Sequence, residues 1–354
     1  MRSPGSFAIV CRKRSGELVV REKPMVGVTR GPRTWPLVRG VATVVESLRL
    51  GSRALRWSAD VYEQGLNEED ARLAGESPAK SAASSTAKKI TSALAISMAA
   101  LATQDEREAA PLPPEKKGGG LASAIPILFA IALFVAAPQA GAEGINKVLG
   151  LDLEVTSPGF QAITGAAKLL IVVGYLLLIR QIADVRRVFQ YHGAEHKTIT
   201  TYEAGEELLV DNARPKTTAH ARCGTTFLVM VALVSIVMFS AAGAFLPKLE
   251  GPRWVQSIVF FALKLPFLPL VAAVTFEIQR IFARYCTTGP LRALLWPGFL
   301  VQKITTAEPD DAQLEVALAS LRATLWREQA VQAPEVEDRV FESYPALVAH
   351  RGYA

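Results

Sequence analysis

The chain has 354 residues, half of them hydrophobic, with a mean hydropathy of +0.23 and a formal net charge of +6. That hydropathy is high for a soluble protein and ordinary for one that lies partly in lipid, and the length alone allows two domains. Three scattered cysteines give no disulfide framework, and no secretory signal is visible in the first 20 residues, which are basic and without a long apolar core.

Charge is uneven along the chain. Met1 to Trp57 carries twelve Lys/Arg against three acids. Aromatic residues are not interleaved with these charges, so the pattern points to a membrane surface and not to nucleic acid. Within this segment Phe7 to Val10 and Leu18 to Val20 are β-prone runs around Arg14-Ser15-Gly16-Glu17, which predicts a hairpin. Leu37 to Trp57 then spaces Val41, Val44, Val45, Leu48 and Leu55 among four arginines. It is too charged to cross a bilayer and predicts an amphipathic helix at the interface. Residues 1–61 thus read as a cytoplasmic hairpin plus interfacial helix. Residues 62–120, biased towards Ala, Ser, Pro and Gly, read as a flexible insertion whose only apolar run, Ile90 to Ala102, is too short to span.

Residues 121–286 predict a membrane domain of four helices. Leu121 to Pro138 has no charge, Phe160 to Ile179 has only Lys168, and Thr225 to Leu246 again has none. The fourth, about Trp254 to Glu277, contains Lys264, Pro266 and Pro269, and proline at membrane depth predicts a kink. The alternatives are that Lys264 snorkels, or that the span begins at Pro266 and runs towards Arg280. The connection between the second and third spans holds most of the flanking Lys and Arg, whereas the other connections hold one or two. Positive-inside asymmetry therefore predicts a multi-pass protein of the cell membrane with both termini and that loop in the cytoplasm, where thiols stay reduced.

The cytoplasmic loop, residues 181–224, concentrates the chemistry. Three of the four histidines are there, His192, His196 and His220, together with Cys223. His192 and His196 are spaced i, i+4 and leave one helical face, with Glu195 beside them; His220 and Cys223 form H-x-x-C. Two close pairs of nitrogen and sulfur donors suit a tetrahedral divalent metal, zinc above all. The pattern H-x-x-E-H assigns the histidines to metal and Glu195 to proton transfer as the catalytic base. Glu277, at similar depth near the cytoplasmic end of span four, is a further candidate ligand or an ion-pair partner of Arg280. Cys223 sits at the N-terminus of span three, where the helix dipole and Arg222 favour a thiolate. A straight helix leaving span two would carry His192 about 18 Å beyond Arg180, so the chain must bend there to bring the histidines to Cys223. Four good ligands would close the site and make it structural; three would leave a position for substrate. A metal-free Cys/His hydrolase and satisfied or packed polar side chains stay open beside the metal reading.

Past a break at Thr287 to Pro290, Leu291 to Val301 reads as interfacial. Pro309 opens a soluble helix with Asp310 and Asp311 in its first turn and a Leu314, Leu318, Leu321, Leu325 stripe; residues beyond Gln329 read as a loose tail.

The run Arg186-Arg187-Val188-Phe189-Gln190-Tyr191-His192-Gly193-Ala194-Glu195-His196-Lys197 closely resembles the YqhQ-like bacterial membrane proteins, as do Tyr202-Glu203-Ala204-Gly205, Arg222-Cys223-Gly224-Thr225 and Thr305-Thr306-Ala307-Glu308-Pro309-Asp310-Asp311. The resemblance covers roughly Met1 to Asp60 and Leu121 to Leu325. It implies membrane placement and a metal-dependent enzyme of unassigned reaction, and it carries over no catalytic residues. The functional expectation is a membrane metal-dependent enzyme, a hydrolase by default, acting on an unknown substrate with the lipid bilayer as its partner and no nucleic acid. The alternatives are a non-enzymatic scaffold with structural metal and a metal-free thiol hydrolase. Few polar residues inside the spans argue against transport.

Overall fold

A computed structural model describes residues 1–25, 35–74, 129, 133, 136–221, 223–243, 251–286, 289–330, 337–350 and 352–353. The chain begins with the hairpin its alternation predicts: β1 (Ser6–Arg12) pairs antiparallel with β2 (Leu18–Pro24), register Ser6↔Pro24 to Arg12↔Leu18. Gly16 turns it with φ +96°, a conformation open to glycine and strained for other residues. Period-two alternation gives the sheet two apolar faces. Ala8, Val10, Leu18 and Val20 enter the main core, while Val19 meets Trp57 and Val61 on the other side.

Each face is covered by a helix. The outer cover is α1 (Val38–Ala74), which is longer than the interfacial helix read from the sequence. Residues 62–74 continue it, so the start of the expected insertion is helical; 75–120 lie outside the described residues. The C-terminal segment is not loose. Its β3 (Arg339–Phe341) adds to β2 with Leu18↔Phe341, and Asp338 accepts from Arg21 Nε and Nη2 at 2.6 and 2.7 Å and from Trp57 Nε1 at 2.9 Å. Three short residues of strand give no usable periodicity, which is why this pairing escaped sequence reading.

Two helices span the lengths the sequence predicted. They are α3 (Pro158–Ile179) and α6 (Gly224–Gly243), both long and apolar enough to cross a membrane. Ahead of α3, the shorter α2 (Ala137–Val148) packs against it. The expected first span, Leu121 to Pro138, falls almost wholly outside the described residues. The expected fourth is broken: α7 (Arg253–Lys264) and α8 (Leu268–Tyr285) meet at 55° across the 3-10 turn Leu265–Phe267, around Pro266 and Pro269. The described residues thus contain two helices able to cross a membrane, or three if the bent pair counts as one.

Between α3 and α6 the chain bends at Arg180 to Ile182 and enters α4 (Ala183–Glu203), followed by the single turn α5 (Val210–Ala213). After a 3-10 turn (Pro290–Leu295) come α9 (Trp296–Thr305), α10 (Asp311–Gln329) and α11 (Tyr344–Ala349). A capping box, Asp310 with Gln313, starts α10. The leucine stripe is only part of its contact surface. Ala319, Ala323 and Thr324 are buried as fully as Leu314 and Leu318, because α10 lies between the sheet and α4.

Candidate metal centre

The segment Thr305 to Asp311 fixes α4 from outside. Ala307 N–H donates to Phe189 O at 2.9 Å, and a Cβ on Gly193 would sit 2.2 Å from Ala307 O. Gly193 is therefore a close-approach glycine within His192-Gly193-Ala194-Glu195-His196. Buried Lys197 anchors the same segment through the Glu308 carboxylate, and also donates to Arg214 O at 2.7 Å.

His192 and His196 stack edge-on along α4 with ring centroids 4.5 Å apart. His192 Nδ1 lies 2.9 Å from Thr305 O, and His196 Nδ1 lies 2.5 Å from Thr218 O. A carbonyl oxygen only accepts, so each Nδ1 carries the hydrogen and each Nε2 is left to face inward. Both imidazoles meet Cys223, which immediately precedes α6 and lies buried. His192 Nε2 is 3.1 Å from Cys223 Sγ, and one donor atom from each of the three residues lies within 4.8 Å of the others. Gln279 of α8 holds the loop by donating to Cys223 O at 3.2 Å.

Burial alone would push the Cys223 thiol up. Hydrogen bonds from His192 and His196, the charge of His192 and the Thr225 hydroxyl outweigh it and bring the thiol from 9.0 down to about 5. For His192 burial works the other way, lowering the imidazole, but the bond to Cys223 and its charge, helped by Thr305 O and Glu195, leave it raised. Arg222, the other expected cause, lies outside the described residues.

The remaining expected site residues separate. His220 is near, its ring 5.7 Å from that of His196, but its Nε2 is 3.2 Å from Glu203 Oε2. Its backbone is clamped by buried Gln302, which accepts from His220 N–H and donates to His220 O, both at 2.8 Å. Glu195 is exposed and lines, with Glu203, His220 and the three clustered residues, a cavity of about 230 Å³. Glu277 lies elsewhere, engaged by Arg39 of α1 through both carboxylate oxygens. The ion pair proposed with Arg280 is thus made with Arg39 instead.

The donor set fits a zinc-like ion. Ideal Zn–N and Zn–S lengths in a tetrahedron place N and S roughly 3.5 Å apart, a few tenths beyond the His192 to Cys223 contact. Carbonyl-bound Nδ1–H groups are the outer support that metal-ligating imidazoles need. Sequence reading found the three donors but not these supports. Thr218 and Thr305 act through backbone oxygens, which leave no residue-type signal; only the Thr305 to Asp311 run drew attention to one of them.

Fold and site together describe a mainly helical protein with apolar helices, a small sheet and a His₂Cys cluster at a helix mouth. The chain belongs to the family described as "Protein of unknown function (DUF1385)", whose profile matches residues 35–327. It is 27% identical over 291 residues to "Uncharacterized protein YqhQ" of Bacillus subtilis (strain 168), covering 82% of this chain and 77% of that one. No solved structure matches it.

Proposed function

We propose that the chain is a multi-pass membrane protein that binds a divalent metal, zinc by its donor set, at the cytoplasmic mouth of α6, and that it is a metal-dependent hydrolase. His192, His196 and Cys223 hold the ion. The carrying observation is the pair of carbonyl clamps: Thr305 O and Thr218 O commit both Nδ1 atoms and turn both Nε2 atoms onto one thiolate. A Cys/His dyad needs only one oriented imidazole; two, fixed alike, are what a shared ion requires. Bound there, the ion would polarise an oxygen ligand and make water easier to deprotonate. Held by three protein ligands, a zinc-like ion would keep one position for water or substrate, and the three residues line the cavity. Glu195, on that cavity wall, takes the proton. His220 Nε2 contacts the Glu203 carboxylate in this arrangement, so a bond from His220 to the ion would use its other ring nitrogen or break that contact. The Lys/Arg asymmetry supports four spans with both termini cytoplasmic, the first of them within 121–138.

The metal-free reading keeps one specific observation, the 3.1 Å His192 to Cys223 contact with the thiol brought down to about 5. One experiment separates the readings. Full-length protein purified in detergent should carry one equivalent of transition metal; His196→Ala and Cys223→Ala should lose most of it. Glu195→Gln should keep the metal and fail to restore the phenotype of a strain lacking the gene. Absence of metal from the parent, with ligand variants of unchanged stability, would favour the thiol dyad. Full restoration by metal-loaded Glu195→Gln would make the ion structural.

A further inference from the structure

The two apolar helices that frame the metal centre enclose a second polar feature at their opposite ends. A cavity of about 60 Å³ lies among α3, α6 and the break between α7 and α8. Its polar lining is Lys168, Lys264, Gln161, Gln139, Thr164 and Ser235, apolar residues complete the wall, and among the described residues no carboxylate lines it. Ser235 is twelve residues beyond Cys223, which puts the cavity about 18 Å along α6 from the histidines.

Lys264, the last residue of α7, is turned inward by the break: its Nζ donates to Gln161 Oε1 at 2.6 Å and lies 4.3 and 5.1 Å from the ring centroids of Phe260 and Phe239. Gln161 is oriented for this by donating its own amide to Val155 O at 2.5 Å. Lys168 is the one charged residue of α3 and makes no ion pair among the described residues. Gln139 Nε2 is buried and has no hydrogen-bond acceptor. Glu143, one turn further along α2, is not part of the lining.

The groups left with donating capacity are thus two ammoniums and an amide, gathered in an apolar helix bundle. Two like charges in one low-dielectric cavity repel, and a buried donor without an acceptor is costly. A single anionic acceptor removes both penalties. The volume leaves room for a small oxyanion group. Intramembrane lysines facing a cavity are sites before they are structure. We infer that this cavity binds a phosphate-type oxyanion through Lys168, Lys264 and Gln139, delivered as a lipid phosphate group or as the free ion. It is independent of the metal reading.

The test uses the full-length protein in a neutral detergent, with thermal unfolding followed during titration with a short-chain phosphatidylglycerol, a phosphatidylcholine of equal chain length, or inorganic phosphate. The parent should be stabilised by phosphatidylglycerol over phosphatidylcholine if the source is lipid, or by inorganic phosphate if it is the free ion. Lys168→Gln and Lys264→Gln should each weaken the half-saturating concentration about 10-fold or more, as loss of a charge-assisted bond predicts. Gln139→Leu keeps both charges and should weaken it less, which guards against a lysine variant that does not fold. No stabilisation of the parent by either phosphate probe, or an unchanged response in folded Lys168→Gln and Gln139→Leu, would overturn the site.

Discussion

Two helices of similar length, α3 and α10, invert the usual relation between composition and burial. The 22 residues of α3 contain one charge, yet only 6% of its apolar window is buried, and Leu170 and Leu178 are 74% and 69% exposed. The 19 residues of α10 carry two Asp/Glu in the first five positions and two arginines further on, yet Leu314, Leu318 and Ala319 are at most 1% exposed. An apolar surface left bare over four turns is stable only if something other than water covers it, and a bilayer does so without side-chain complementarity. The main core is built instead on the helix of mixed composition, whose small residues let a sheet and a second helix approach from both sides. Hydropathy therefore reads the solvent of a helix; it does not read its packing partners.

The comparison breaks or holds first at Leu318. Leu318→Ala should lower unfolding stability in detergent by about 2–5 kcal/mol, as cavity-forming core substitutions do, whereas Leu170→Ala should change it by less than about 0.5 kcal/mol. Equal losses would mean that α3 is packed by protein. Leu170→Arg asks the next question. Near the centre of α3 an arginine costs about 2.5–3.5 kcal/mol of membrane insertion, so the carbonate-resistant membrane fraction should fall several-fold. An unchanged fraction would take α3 out of the bilayer.

What could be read without coordinates follows the same division. The hairpin alternates with period two, α3 and α6 are long runs almost without charge, and the histidines sit at i, i+4; each is a local signal, and local signals survive in sequence. His192, His196 and Cys223 were legible because rare donor types recur at short spacing. The supports were not: Thr305 O and Thr218 O are backbone atoms, and Gln302 reaches His220 across 82 positions. Nor was the C-terminal strand, whose three residues are placed by Leu18 to Val20. The turn of His220 onto Glu203 depends on where α4 ends, which spacing alone does not give.

The smallest effect is expected where the two regions touch. Arg39 of α1 reaches Glu277 of α8, 238 positions away, with side chains 31% and 20% exposed, and Gly40 lets the helices close, since a Cβ there would be 3.1 Å from Ala273 Cα. Depth near the membrane surface made Glu277 a plausible metal ligand from sequence, but a carboxylate held by a guanidinium fork is already satisfied. Partly exposed pairs contribute about 0–1 kcal/mol because water competes for both ions. Glu277→Gln should therefore lower stability by no more than about 1 kcal/mol. Arg39→Met should likewise destabilise only slightly, and the double variant should lose less than the sum of the two, because each single change removes the same contact. Metal content should match the parent throughout. A fall in metal as large as that of Cys223→Ala would bring Glu277 back among the ligands and require α8 to rotate away from α1, which the Gly40 to Ala273 contact would register as a lost crosslink between cysteines introduced nearby.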